Sequence, residues 1–151
     1  MSTEYNDIDY LQICVCANLR RKTRVVTQLY DNQLQSTGLK VTQYSMLANI
    51  DRQKSVSISK LGEILLLDQT TVTRNVNILK QSGYVTIVRD IQDSRMKVIS
   101  LTNKGMEKLK EATPIWQDIQ RKIINDIGLE KYKDFYETLK NIQKIIEIYD
   151  R

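Results

Sequence analysis

Histidine is missing from this sequence altogether, which removes the commonest general base and the commonest metal ligand together. Cysteine is nearly absent: Cys14 and Cys16 are the only soft ligands, too few for a structural zinc site within one chain. An enzyme would have to work through Asp, Glu, Lys, Ser or Cys, and no nucleophile or phosphate-loop motif surrounds any of them. The expectation is therefore a protein that is not an enzyme and that needs no metal and no cofactor. Long apolar runs are also lacking. The longest, Ile64-Leu65-Leu66-Leu67, falls far short of the roughly 20 residues of a membrane-spanning helix. Glu4, Asp7 and Asp9 stand where a secretion signal would be basic, so the cytoplasm is the expected compartment. With one proline and five glycines in 151 residues, little interrupts long helices.

What is present is charge, unevenly spread. Residues 57–104 carry seven Lys/Arg against four Asp/Glu, residues 105–151 carry nine against nine, and residues 1–56 seven against five. The basic surplus peaks in the middle of the chain, where an anionic partner would be met.

Periodicity sorts the chain into a mainly α fold with one small β-hairpin. Residues 8–36 read as one long helix, with Leu11, Cys14, Ala17, Val25, Val26 and Leu29 on its apolar side and Gly38 at its end. Thr42 is expected to cap a second helix that stops near Asp51. After the Lys54-Ser55-Val56-Ser57 break, Ser57 suits the N-cap of a short helix and Asp68 the N-cap of the next. In that next helix Val72, Val76 and Leu79 form one inward stripe, and Gly83 stands at its end. The Val, Ile and Thr content of 84–89 and 97–101 predicts a pair of strands around a charged tip. Thr102 caps a helix with Pro114 inside it, where a kink is expected, and Gly128 separates that helix from a last one. The last carries Leu129, Tyr132, Tyr136, Leu139, Ile142, Ile146 and Tyr149 at steps of three and four.

Helix, turn, helix and basic-tipped hairpin, in that order, is the layout of a winged helix-turn-helix. The face opposite the Val72 stripe carries Gln69, Thr70, Thr73, Arg74 and Asn77, and Thr71 is a further DNA-binding candidate in the same helix: short hydrogen-bonding side chains and one arginine, the chemistry that reads base edges in a major groove. Arg89, Arg95 and Lys97 on the hairpin suit phosphate or a narrow minor groove. Asp93 is placed to pair with a nearby arginine and stabilise the tip. The expected partner is double-stranded DNA. The alternative is a winged module that binds protein and no specific DNA, which the modest charge surplus leaves open.

The run Leu61-Gly62-Glu63, Thr71-Val72-Thr73-Arg74, Leu79 and Gly83-Tyr84-Val85 resembles the MarR family of bacterial and archaeal regulators. Asp93-Ser94-Arg95, a short strand, then Leu101-Thr102-Asn103-Lys104-Gly105 is similar to that family's wing signature. The resemblance extends to Gly38-Leu39, Thr42-Gln43-Tyr44 and Leu47, and so spans most of the chain. It implies a single domain over 1–151, in which helices from 1–40 and 105–151 interlock to make a homodimer while 41–104 forms the DNA-binding lobe. It implies contacts from Ser57 and Ser59 to phosphate, a palindromic operator, and repression relieved by a small phenolic or other aromatic effector or by oxidation. The deep apolar stripe of the last helix supports the dimer independently, because a solvated patch of that size marks an interface.

Cys14 and Cys16 lie two residues apart, about 200° around a helix, and cannot bond to each other without unwinding it. Cys16 is similar in position to the peroxide-sensing cysteine of the OhrR branch, and Tyr30 to the tyrosine that partners it; Arg20 stands where that branch has a second tyrosine. Against a sensing role, a cysteine on an apolar helical stripe is usually a small buried hydrophobe. Tyr30, Tyr44 and Met46 are either the lining of an effector crevice or simply core.

Overall fold

The structure, a computed structural model, describes residues 9–150. Glu4, Asp7 and the expected start of the first helix at residue 8 lie outside the described residues. The chain divides into two compact units between Thr113 and Pro114. None of the described helices is long and apolar enough to cross a membrane.

The long helix expected over 8–36 is two. Cys14 (φ −54°, ψ 118°) leaves the helical region, so α1 (Tyr10–Ile13) stops and α2 (Val15–Leu34) starts afresh, closing in a 3-10 turn over Gln35–Thr37. The break satisfies its own polar groups. Asp9 accepts the Leu11 amide (3.0 Å), the Cys14 sulfur accepts the Ala17 amide (3.5 Å), and the Asn18 side chain donates to the carbonyls of Gln12 (2.7 Å) and Cys14 (3.0 Å). Periodicity could not register this, since the apolar spacing runs through the break undisturbed.

Helix α3 (Val41–Gln53) begins one residue before the expected cap, Thr42. The amides at its start are satisfied by side chains: Asp31 of α2 accepts the Val41 amide (2.8 Å), and Gln43 of the helix's own first turn accepts the Lys40 amide (2.9 Å). The break after α3 hides a third strand, β1 (Val56–Ser57). It pairs antiparallel with β3 (Lys97–Leu101), which in turn pairs with β2 (Val85–Arg89), giving the order β1-β3-β2.

The next two helices start where expected. Ser57 accepts the Lys60 amide (3.1 Å) at the head of α4 (Ile58–Leu65), and Asp68 the Thr71 amide (2.8 Å) at the head of α5 (Gln69–Gln81). Leu66, left-handed at φ 54°, turns the chain between them and lets the Leu67 amide reach the Gly62 carbonyl (2.9 Å). Gly62 is required there, because a Cβ would sit 2.8 Å from the Leu67 carbonyl oxygen. Leu34, Leu47, Ile50, Leu61, Val72, Val76, Leu79 and Ile99 fill the core of this unit, each at most 1% exposed. Tyr30, Tyr44 and Met46 are buried with them, as core residues would be.

Two residues of the wing signature lock the hairpin to helix α6 (Asn103–Ile127). Thr102 donates its hydroxyl to the Gly83 carbonyl (2.6 Å) and accepts the Gly105 amide (3.0 Å). A Cβ on Gly105 would lie 2.0 Å from the Tyr84 carbonyl oxygen, so only glycine allows the helix to approach this closely. Lys108 of α6 donates to the Thr37 carbonyl (2.9 Å) and fixes the end of α2.

Pro114, where a kink is expected, lies within the unbroken helix α6 and is the first residue of the second unit. The second unit holds the remainder of α6 and, after Gly128 (φ 92°), α7 (Leu129–Tyr149). Gln120 donates to the Tyr132 hydroxyl (2.7 Å) to join them. No residue of α7 is buried.

Candidate nucleic-acid interface

The outward face of α5 is built from its cap upward. Asp68 uses both carboxylate oxygens on Thr71, one for the amide and one for the hydroxyl (2.8 Å each). These bonds, the backbone one first, hold the Asp68 carboxyl below the ordinary carboxylate range. Thr71 is thereby drawn into the cap and half-buried, while Gln69, Thr70, Thr73, Arg74 and Asn77 are exposed. Arg74 makes no ion pair or hydrogen bond with any described residue. Ser57 is half-buried, its hydroxyl oxygen committed to the α4 cap, and Ser59 is exposed on the first turn of that helix.

The hairpin tip is shaped by two aspartates. Asp90 accepts the Gln92 amide (2.8 Å), and Asp93 accepts the Arg95 amide (3.0 Å) while its own carbonyl accepts the Met96 amide (2.9 Å). The Arg95 guanidinium is 3.8 Å from Asp93, with the Arg95 side chain 95% exposed. A pair so exposed contributes little; the backbone bonds are what shape the tip, and Arg95 projects from it.

Arg89 and Lys97 face each other across the β2–β3 ladder. They line a groove of about 670 Å³ between α5 and the hairpin, together with Thr73, Asn77 and Lys80. Lys80 escaped the sequence analysis, although its signal was present: positions 73, 77 and 80 follow one helical face in steps of four and three.

Cys16 is exposed near the start of α2, Cys14 is partly buried, and Tyr30 is buried in the same helix. The 14 positions from Cys16 to Tyr30 span about 21 Å of helix, so the two side chains of one chain do not meet. The structure does not bring this sequence-suggested pair together.

The family model for MarR matches residues 37–96, which take in α3, the α4–α5 pair and the hairpin to its tip. The transcriptional regulator SarZ of Staphylococcus epidermidis is 30% identical over 139 residues, 91% of either chain. This chain belongs to the MarR family. SarZ of Staphylococcus saprophyticus is 32% identical over 121 residues, covering 79% of this chain and 80% of that protein. Among solved structures, the M. tuberculosis regulator MosR in complex with DNA superposes with a TM-score of 0.80 at 31% identity, over 89% of this chain and 97% of that one. A mutant of E. coli MarR complexed with operator DNA has the same fold, with a TM-score of 0.80 at 18% identity, over 89% of this chain and 98% of that one. The residues of the MarR-family signature have physical roles in this fold: Gly62 and Gly105 permit close backbone approach, and Thr102 ties the hairpin to α6. As a MarR-family winged-helix protein, the chain is a transcriptional regulator.

Proposed function

We propose that the chain is a homodimeric, cytoplasmic repressor that binds a palindromic DNA operator. The observation that carries this reading is the outward face of α5, where Thr73, Arg74 and Asn77 stand exposed and Arg74 has no partner among the described residues. Such a face reads base edges when laid in a major groove. The wing supports it by presenting Arg95 at a tip of fixed shape, suited to the narrow minor groove. Ser57 and Ser59 at the head of α4 serve the phosphates, and Asp93 stabilises the wing. That MosR, at 31% identity, is solved in complex with DNA supports the same reading.

The dimer rests on surface that a single chain leaves bare. In α2, Val15, Val25, Val26 and Leu29 are exposed; in α7, so are Phe135, Tyr136, Ile145, Ile146, Ile148 and Tyr149. Large apolar side chains left exposed repeatedly along a helix mark an interface. With two readers related by a two-fold axis, the half-sites lie about one helical turn apart.

The release signal is a small aromatic effector or oxidation of a thiol. Cys16, exposed on α2, is the thiol an oxidant reaches; a peroxide oxidises it to the sulfenic acid and is itself reduced. Because Cys16 and Tyr30 of one chain are held apart by α2, a Cys16–Tyr30 contact would have to cross the dimer.

A gel shift on the DNA flanking the gene tests the whole reading. Arg74→Ala is expected to lose about 1–3 kcal/mol of discrimination between operator and unrelated DNA. Treatment with peroxide should release the parent and not Cys16→Ser if oxidation is the signal. Salt-insensitive association with protein and no shift of any fragment would favour the protein-binding alternative instead.

A further inference from the structure

Arg89 and Lys97 are directly opposed on an antiparallel ladder, an arrangement in which like charges destabilise a hairpin. Their positions share the strand face of Val85 and Ile99, the buried face of the sheet, but lie beyond the end of the core. Lys80 brings a third cation to the same groove from the α5 wall, and no carboxylate lines it. None of the three makes an ion pair among the described residues. The groove is thus an uncompensated positive hollow, and Thr73 and Asn77 of the reading face form part of its lining.

We propose that this groove clamps the sugar–phosphate backbone of one DNA strand, with Lys80 holding a phosphate from the α5 side and Arg89 and Lys97 from the hairpin side. The inference rests on the DNA-binding reading and extends it to Lys80. A strand whose bases meet Thr73 and Asn77 carries its phosphates past these cations, and the phosphate charge cancels the repulsion between Arg89 and Lys97. The occupant is a backbone phosphate, not a base, so the clamp adds affinity without adding sequence preference.

The test uses the full-length protein and a duplex from the DNA flanking its gene that the parent shifts. Lys80→Ala should weaken binding to operator and unrelated DNA alike. It should reduce the slope of log affinity against log salt by about one per half-site. Lys80→Arg should retain the slope. Replacing single phosphates by neutral methylphosphonates should identify one position per half-site that weakens the parent and adds nothing to the Lys80→Ala defect. Lys97→Glu supplies a second readout: it should raise the melting temperature of the free protein, by relieving the repulsion, while lowering its affinity for DNA. A Lys80→Ala protein with the parent's affinity and salt slope overturns the clamp, even where Arg74→Ala still loses discrimination. A parent that binds no duplex at low salt overturns the DNA-binding reading and the clamp with it.

Discussion

In α5, Val72, Val76 and Leu79 stand at i, i+4 and i+7 and are at most 1% exposed. In α7, Ile142, Ile146 and Tyr149 have the same spacing, yet Ile146 and Tyr149 are 51% and 82% exposed. The two stripes are indistinguishable as patterns. The first is satisfied inside its own unit by α4 and the sheet, whereas Ile146 and Tyr149 of the second stay exposed among the described residues. An amphipathic stripe therefore states that a surface must be covered, not which molecule covers it.

The largest effect should come from attacking the uncovered stripe. Ile142→Asp with Ile146→Asp would place two charges in the proposed interface, where an unpaired buried charge is strongly unfavourable. Sedimentation equilibrium should report monomers for this variant and dimers for the parent; a parent that sediments as a monomer would remove the contrast between the helices. Next comes the covered stripe. Leu79→Ala should cost about 2–5 kcal/mol, read as a lowered urea midpoint. The loss should be the same at every protein concentration, unlike the concentration-dependent melting of an α7 variant.

Gly105→Ala is expected to cost about 1–3 kcal/mol by forcing α6 away from the Tyr84 carbonyl, and the loosened hairpin should then weaken DNA binding as well. The smallest effect concerns pH. The Asp68 carboxyl is held below its ordinary range by the bonds to Thr71. Its contribution to α5 is complete above the unfolded value of about 4 and is lost as pH falls through the lower folded value. Stability measured from pH 5 downward should fall less steeply in Asp68→Ser, which keeps a capping oxygen that does not titrate; equal slopes would mean the cap does not depend on the charge.

Much of the reader was legible because its signals are local. Ser57 and Asp68 cap the helices they were expected to cap, Gly83 follows α5 in the left-handed conformation, and the strands fall on the Val, Ile and Thr runs. The misreadings arise where a side chain supplies a hydrogen bond that apolar spacing does not register. Thr42 lost its place as a cap because Asp31, ten positions upstream, accepts the Val41 amide. The helix over 8–36 broke at Cys14 because Asn18 satisfies the carbonyls that the break releases.

Spacing along the chain was enough to establish which faces are apolar, where most helices are capped, and that a helix pair and a basic hairpin follow one another. These features depend on neighbours within a turn or two. Packing between distant segments supplied the rest. Strand β1 has only two residues and exists because β3 offers it a ladder. Gly105 is required because Tyr84 lies against it, and Lys80 meets Arg89 and Lys97 only because α5 packs beside β2. Each of these is a contact between residues remote in the chain, whose cost in chain entropy is met by the shared core and not by any local preference.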